Sequence, residues 1–78
     1  MQSKHPTPIY RKRLGEVIRL RRKARGLSQE KLAELADVHR NYVGLVERGE
    51  QNLTVDSLVN IARALKCKVL FLIKDAGL

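Results

Sequence analysis

The side chains best suited to chemistry in this sequence are basic, and half of them lie in one short stretch. Lys and Arg total 16 while Asp and Glu total 8, so the formal net charge is +8. Eight of the 16 basic residues fall between positions 11 and 25, beside a single acid, Glu16. A field of one sign attracts polyanions and speeds their association. The charge therefore predicts binding to nucleic acid or to an anionic lipid surface, with an ordinary solvated helix face as the plain alternative.

The groups that could carry covalent or metal chemistry are few. His5, His39 and Cys67 lie far apart in the sequence, and none has a nucleophile, a base or a second metal ligand at a useful spacing. We therefore expect no enzymatic activity, no metal site and no cofactor. A single cysteine cannot form an internal disulfide, which favours a reduced, cytoplasmic setting. No apolar run approaches the ~20 residues that a membrane helix needs, so no membrane span is expected.

The basic side chains need a scaffold, and 78 residues are enough for one small domain. Two early prolines predict a flexible tail over residues 1–9, so the domain is expected to occupy residues 10–78. Within it, apolar residues at helical spacing predict a first helix over residues 10–25, which Gly26 ends.

Two short helices with a tight connection are predicted next. Ser28 is a good N-cap for the second helix, which is expected to run as far as Asp37. The third helix is expected to start near His39 and to end at Gly49. Asp37 lies in the turn, where we expect a left-handed backbone that Asp tolerates. Two helices joined by about three residues indicate a helix-turn-helix, a motif that small helical bundles also contain by chance.

The last third of the chain contains one clear helix and one ambiguous element. Thr54 is the expected N-cap of the fourth helix, whose apolar residues recur at three- and four-residue spacing: Val55, Leu58, Val59, Ala62 and Leu65. The apolar run over residues 69–73 is too short for periodicity to separate a helical turn from a short strand. The residues thus predict an all-α domain of four helices plus an element at about 67–74 that is either helix or strand.

Two strings of residues carry a family resemblance. The run GLSQEKLA starts at Gly26, the run VERGE starts at Val46, and the fourth helix follows. Over roughly residues 14–73 the chain resembles the XRE or lambda-repressor-like family of bacterial and phage transcription regulators. The resemblance implies a compact five-helix DNA-binding domain that acts as a dimer, with its third helix in the major groove. The departures are Asp37, in place of the usual turn glycine, and residues 66–68, in place of small or capping residues.

The resemblance assigns base contacts to the third helix. Arg40 and Asn41 match positions that meet base edges, where Arg suits guanine and Asn suits adenine. Gly44, one turn further on, would let the helix lie close to the groove floor. Leu45 is an apolar residue at a position expected to be exposed, and a thymine methyl group would be a suitable partner for it.

A second set of residues is expected to hold the DNA backbone. Gln29 matches a family position that contacts phosphate from a helix N-terminus. The weaker phosphate candidates are Tyr42, Gln51 and Asn52, of which Tyr42 alternatively belongs to the core. The basic residues 11–13 could reach phosphates that flank the site or could simply be solvated.

The resemblance further implies an internal ion pair between Arg22 and Glu47. Arg22 is therefore expected to be structural rather than to face DNA. Such a pair specifies how the first helix packs on the third, and removing one partner is costly even where the pair adds little net stability.

These expectations together predict a sequence-specific regulator of transcription that binds double-stranded DNA, a repressor acting as a dimer on a palindromic operator. The dimer interface is expected at Leu70, Phe71 and Leu72, because one face of this element can cover the core while the other stays exposed. The alternative is that the whole apolar run is internal. Two other functions stay open. The protein could be a controller of a restriction–modification operon, or it could be the antitoxin of a toxin–antitoxin pair. The antitoxin function would require an element that binds the toxin, and a strand over residues 69–73 is the only candidate for it.

Overall fold

The computed structural model of the protein describes residues 8–78, which contain five helices and no strand. The helices are α1 (Ile9–Ala24), α2 (Gln29–Ala36), α3 (Arg40–Glu47), α4 (Val55–Ala64) and α5 (Val69–Asp75). The all-α prediction is confirmed, and the ambiguous last element is a helix rather than a strand. The first helix begins at Ile9, the last residue of the predicted tail, and residues 1–7 of that tail lie outside the described residues.

Three of the helices begin where a side chain accepts a hydrogen bond from an otherwise unpaired backbone N–H. Ser28 and Thr54 accept from the N–H three residues further on, at 2.9 and 3.0 Å. His39 uses its Nδ1 atom to accept from the N–H two residues on, at 3.1 Å. The two predicted caps, Ser28 and Thr54, are therefore present, and together with His39 they set the starts of α2, α3 and α4.

Two helices end in a left-handed residue that is not glycine. Asp37 ends α2 with φ of 57°, as the tight turn required. Lys66 follows α4 with φ of 58°, at one of the positions where the sequence departs from the family that it resembles. Both turns change the direction of the chain sharply, and they orient α3 and α5 against the helices that precede them.

The core is formed by apolar residues from all five helices and from the segments that end α4 and α5. Its buried members are Leu14, Ile18, Leu32, Ala33, Ala36, Val43, Val46, Ile61, Ala62, Leu65, Leu72 and Ala76. Helix α2 contacts α3 and α4, and helix α1 contacts α3 and α5. Helix α4 also contacts α5. None of the five helices is long and apolar enough to cross a bilayer.

The predicted apolar stripe of α4 is correct only in part. Val55 is 77% exposed and Val59 is also exposed, whereas Ile61 is fully buried. The helix buries a stripe that includes Leu58, Ile61 and Leu65, because this is the side that α2 and α5 cover. A second stripe with the same spacing includes Val55 and Val59, and periodicity alone could not choose between the two.

The expected interface on α5 also needs a correction. Leu70 is 66% exposed and Phe71 is 45% exposed, but Leu72 is fully buried in the core. In a helix, successive residues point about 100° apart, so three consecutive side chains cannot share one exposed face. Leu72 points towards α1 and α4 and does not belong to any surface.

Helix α1 approaches α3 unusually closely at Gly15, which is buried. A Cβ on this residue would overlap the carbonyl oxygen of Val46 and lie 2.8 Å from that of Glu47. The two backbones are therefore nearly in contact, and this contact fixes the position of α3 against the basic helix.

Candidate nucleic-acid interface

The outer side of α3 brings together four predicted base-contacting residues and two others. One open depression is lined by Gln29, Arg40, Asn41, Gly44, Leu45 and Arg48, a set that we call the recognition face. Arg40 and Asn41 are exposed at the start of α3, as expected. Leu45 is half-buried, so only part of its side chain is available to a partner.

Gly44 departs from the expectation of an open position, because it is buried. The ends of the Gln29 and Arg48 side chains lie over it, and a Cβ at this residue would be 3.4 Å from Gln29 Oε1 and 3.3 Å from Arg48 Nη1. Neighbouring side chains rather than solvent therefore cover this backbone position. A base could reach it only if these side chains moved.

A buried ion pair between Arg22 and Glu47 joins α1 to α3. Arg22 Nε and Nη2 donate to the two carboxylate oxygens of Glu47 at 2.6 and 3.1 Å, and the two side chains are only 9% and 3% exposed. Arg22 Nη1 also donates to the carbonyl oxygen of Leu27, at 2.8 Å. Arg22 is thus turned inwards, and it ties together α1, α3 and the start of the helix-turn-helix.

Gln29 connects this ion pair to the recognition face. Its Nε2 atom donates to Glu47 Oε1 at 3.0 Å. Because an ionised carboxylate only accepts hydrogen bonds, this contact determines which end of the amide faces Glu47. One N–H of Gln29 and its Oε1 atom are left for a ligand.

Arg48 was missed in the sequence analysis. It follows α3 directly, its side chain is 58% exposed, and its Nε atom donates to Glu50 Oε1 at 3.2 Å. The spacing contained a signal for it, because positions 40, 44 and 48 recur at four-residue intervals and so fall on one side of a helix.

The other predicted phosphate contacts lie outside the depression. Tyr42 is half-buried, packs against the core and donates its hydroxyl to the carbonyl oxygen of Asn52 at 3.4 Å. Gln51 is half-buried and Asn52 is exposed, both in the loop after α3. These three residues are therefore not part of the recognition face.

Two groups of basic residues in α1 have different surroundings. Lys12 packs on the loop after α3, where a Cβ on Gly49 would be 2.9 Å from its Cγ atom. The basic start of α1 is thus next to the end of the third helix. Arg21 instead donates to Asp75 on α5 at 2.8 Å, and this hydrogen bond raises the pKa of its guanidinium.

Residues 8–78 contain no cluster of His, Cys, Asp and Glu that could hold a metal ion.

Comparison with known proteins decides the family. A sequence model of the Helix-turn-helix family HTH_3 matches residues 18–72, more than half of the chain. The chain belongs to this family. This helix-turn-helix protein is 45% identical to control protein C.SmaI of Serratia marcescens over 65 residues, which cover 83% of this chain and 77% of that protein.

Solved structures show the same relationship. The restriction-modification controller protein C.AhdI from Aeromonas hydrophila matches with a TM-score of 0.77 and 41% identity, over 78% of this chain and 92% of that one. The clp gene regulator ClgR from C. glutamicum matches with a TM-score of 0.86 and 30% identity, over 95% of each chain. The helix-turn-helix family, the five-helix fold and the prediction of a DNA-binding transcription regulator are therefore confirmed.

Proposed function

We propose that the protein binds a palindromic operator in double-stranded DNA as a homodimer, with α3 in the major groove, and represses transcription from it. The observation that carries this proposal is the recognition face, where exposed hydrogen-bonding groups converge in a chain with a net charge of +8. Such binding uses hydrogen bonds, charge and apolar contact with the bases, so the proposal includes neither catalysis nor a cofactor. Since the proposed target is DNA and the matched relatives are bacterial proteins, we place it in the cytoplasm.

Base selection is assigned to the start of α3. The exposed guanidinium of Arg40 can donate two hydrogen bonds to guanine O6 and N7, and the amide of Asn41 can pair with adenine N6 and N7. The half-buried Leu45 offers its outer methyl groups to thymine. In the free protein Arg40 lies 3.7 Å from Glu30, in a pair so exposed that DNA can displace it at little cost.

The biological role that fits best is control of a restriction–modification operon. C.SmaI is named a control protein and C.AhdI a restriction-modification controller protein, and both are more than 40% identical to this chain over the matched region. The antitoxin alternative depended on a strand over residues 69–73. That segment lies in a helix, so no observation favours a toxin as partner.

A dimer through α5 would leave the recognition face free. Helix α5 packs against α1 and α4, whereas α3 packs against α1 and α2. Leu70 and Phe71 form an exposed apolar surface on α5, which a second copy could cover. Two copies related by a two-fold axis would then present both α3 helices to one side of the DNA.

Selection of bound duplexes from a random DNA pool, at a stated salt concentration near 150 mM, tests the function directly. We expect two inverted half-sites whose centres are about one helical turn, ~34 Å, apart. Recovered duplexes without a common motif would contradict sequence-specific binding.

Sedimentation of two leucine variants tests the dimer. Leu70→Glu places a charge on the exposed surface of α5 and is expected to yield a folded monomer. Leu35→Glu is the matched control, because Leu35 is also a half-exposed leucine but lies on α2. A wild-type monomer at tens of micromolar that binds its operator as a single copy would refute the dimer.

A further inference from the structure

We propose that His39 is a pH-sensitive positioning residue for the base contacts, because it holds the start of α3 in place only while its imidazole is neutral. The proposal rests on the DNA-binding function above and deepens it by adding a regulation of the same site. Protonation of this one side chain releases the first turn of α3, which carries Arg40 and Asn41. Base selection is then reduced although every DNA-contacting residue is still present.

The geometry puts a titratable atom into the cap of α3. His39 precedes the helix with an extended backbone, and its Nδ1 atom accepts from the backbone N–H of Asn41 at 3.1 Å. An imidazole nitrogen accepts a hydrogen bond only when it carries no proton, so this bond requires the neutral form with its proton on Nε2. The imidazolium form has an N–H on both nitrogens and cannot make the bond. The side chain is exposed, so protons from the solvent reach it freely.

The caps of the neighbouring helices do not share this dependence. Ser28 and Thr54 cap α2 and α4 with hydroxyl oxygens, whose ability to accept does not change near neutral pH. These helices also carry an acid in the first turn, Glu30 in α2 and Asp56 in α4, whereas the first turn of α3 has none. Of the three capping side chains, His39 is therefore the one that changes its charge between about pH 5 and pH 8.

Charged groups surround the start of α3 on the side of α2 and in the preceding turn. Those that line the depression between α2 and α3, or flank His39 in the chain, are Glu30, Lys31, Glu34, Asp37 and Arg40. Two of the acids already have a cation, since Glu30 lies 3.7 Å from Arg40 and Glu34 lies 3.2 Å from the amine of Lys31. Helix α1 contacts α3 at its other end, where Gly15 meets Val46 and Glu47. Asp37 is thus the one acid of this described group that is left to attract an imidazolium, and it is exposed.

The helix itself opposes a positive charge at His39. Free N–H groups give the start of a helix a partial positive charge, and Arg40 adds a full one there without an acid in the first turn to balance it. Attraction to the exposed Asp37 is weak and is screened by salt. Folding therefore favours the neutral imidazole. The stability that the cap contributes is complete above the titration range of imidazole and is lost as the pH falls through it.

The effect on base selection can be separated from simple attraction between charges. A cation on His39 is attracted to the phosphates of any duplex, whatever the base sequence. Arg40 and Asn41, in contrast, distinguish bases only while the first turn of α3 holds them in position. The ratio of the affinities for the operator and for an unrelated duplex cancels the first effect and isolates the second.

Equilibrium binding to the selected palindromic duplex and to an unrelated duplex tests the switch, at one salt concentration and at about pH 8 and about pH 5.5. The wild-type ratio of the two affinities should fall at the lower pH by up to about fivefold per half-site, the value of one N-cap. His39→Ser supplies a hydroxyl cap of the kind present at Ser28, and its ratio should stay nearly constant. His5, the second imidazole of the chain, is kept in both proteins, so any response that it causes is common to them.

Thermal unfolding of the free proteins tests the cap without DNA. Between about pH 8 and about pH 5.5, the wild-type melting temperature should fall by roughly 4–8 °C more than that of His39→Ser. His39→Ala lacks the cap at either pH, so its melting temperature should be below that of His39→Ser at both. Equal pH responses of wild type and His39→Ser, in melting and in the affinity ratio, would refute the switch, and so would a wild-type ratio that rises at the lower pH. Wild-type protein without preference for any duplex at pH 8 would refute the function instead, and the difference in melting would still test the cap.

Discussion

Replacing Glu47 by alanine should cost this domain a large part of its stability. The carboxylate accepts two hydrogen bonds from Arg22, at 2.6 and 3.1 Å, and a third from Gln29 at 3.0 Å. The side chain of Arg22 is only 9% exposed, so the variant would keep a guanidinium in a place that water hardly reaches. Of its three internal hydrogen bonds, only the one to Leu27 would remain.

The expected size of the effect follows from burial. Breaking a buried ion pair by removing one partner typically costs about 3–5 kcal/mol. A domain of 78 residues is stable by about 4–12 kcal/mol in total, at roughly 0.05–0.15 kcal/mol per residue. The variant should therefore lose at least a quarter of its stability, and its melting temperature should fall by more than about 10 °C.

Thermal and urea unfolding, followed by circular dichroism, measures this loss. Glu16→Ala is the matched control, because Glu16 pairs with Arg19 at 3.5 Å on an exposed surface of α1, and its removal should change stability by less than about 1 kcal/mol. The double variant Arg22→Met with Glu47→Leu should recover much of the loss, since it leaves no unpaired charge. A Glu47→Ala melting temperature within about 2 °C of wild type would refute the reasoning.

Three further substitutions probe base selection, the contact between α1 and α3, and the turn of the helix-turn-helix. Arg40→Ala should weaken operator binding by roughly 1–3 kcal/mol and relax base preference at one position per half-site, as a repeated DNA selection would show; equal losses on random DNA would exclude a base contact. Gly15→Ala should destabilise the domain by about 1–3 kcal/mol in urea, because the methyl group would strike the carbonyl oxygens of Val46 and Glu47; an unchanged urea midpoint would show that α1 can move away freely. Asp37→Val should cost about 1–2 kcal/mol, since a β-branched residue resists φ of 57°, while Asp37→Gly should not; equal stability of the two variants would exclude backbone strain at this turn.

The sequence alone was sufficient wherever a local interaction decides the structure. Ser28 and Thr54 predicted two helix starts, because an N-cap needs only a hydroxyl and an N–H three residues away. Asp37 predicted the left-handed turn for a similar reason, since tolerance of positive φ belongs to the residue itself. The family strings then supplied the fold and the DNA-binding function, which the family match and related structures confirm.

The tertiary structure was needed wherever the local sequence fits two conformations, or two buried faces, equally well. Residues 69–73 are apolar in every position, so only their packing on α1 and α4 makes them a helix that buries Leu72 and exposes Leu70. In α4 two apolar stripes have the same helical spacing, and the contact with α2 selects the one containing Ile61.

The recognition face shows the same division. The predicted start of α3 near His39 and the family resemblance were enough to place Arg40 and Asn41 in its exposed first turn, because a helix start depends on the local chain. The burial of Gly44 could not be inferred in this way, since it results from side chains of α2 and of the loop after α3. Contacts between segments that are distant in sequence depend on how the helices pack, and only the tertiary structure determines that packing.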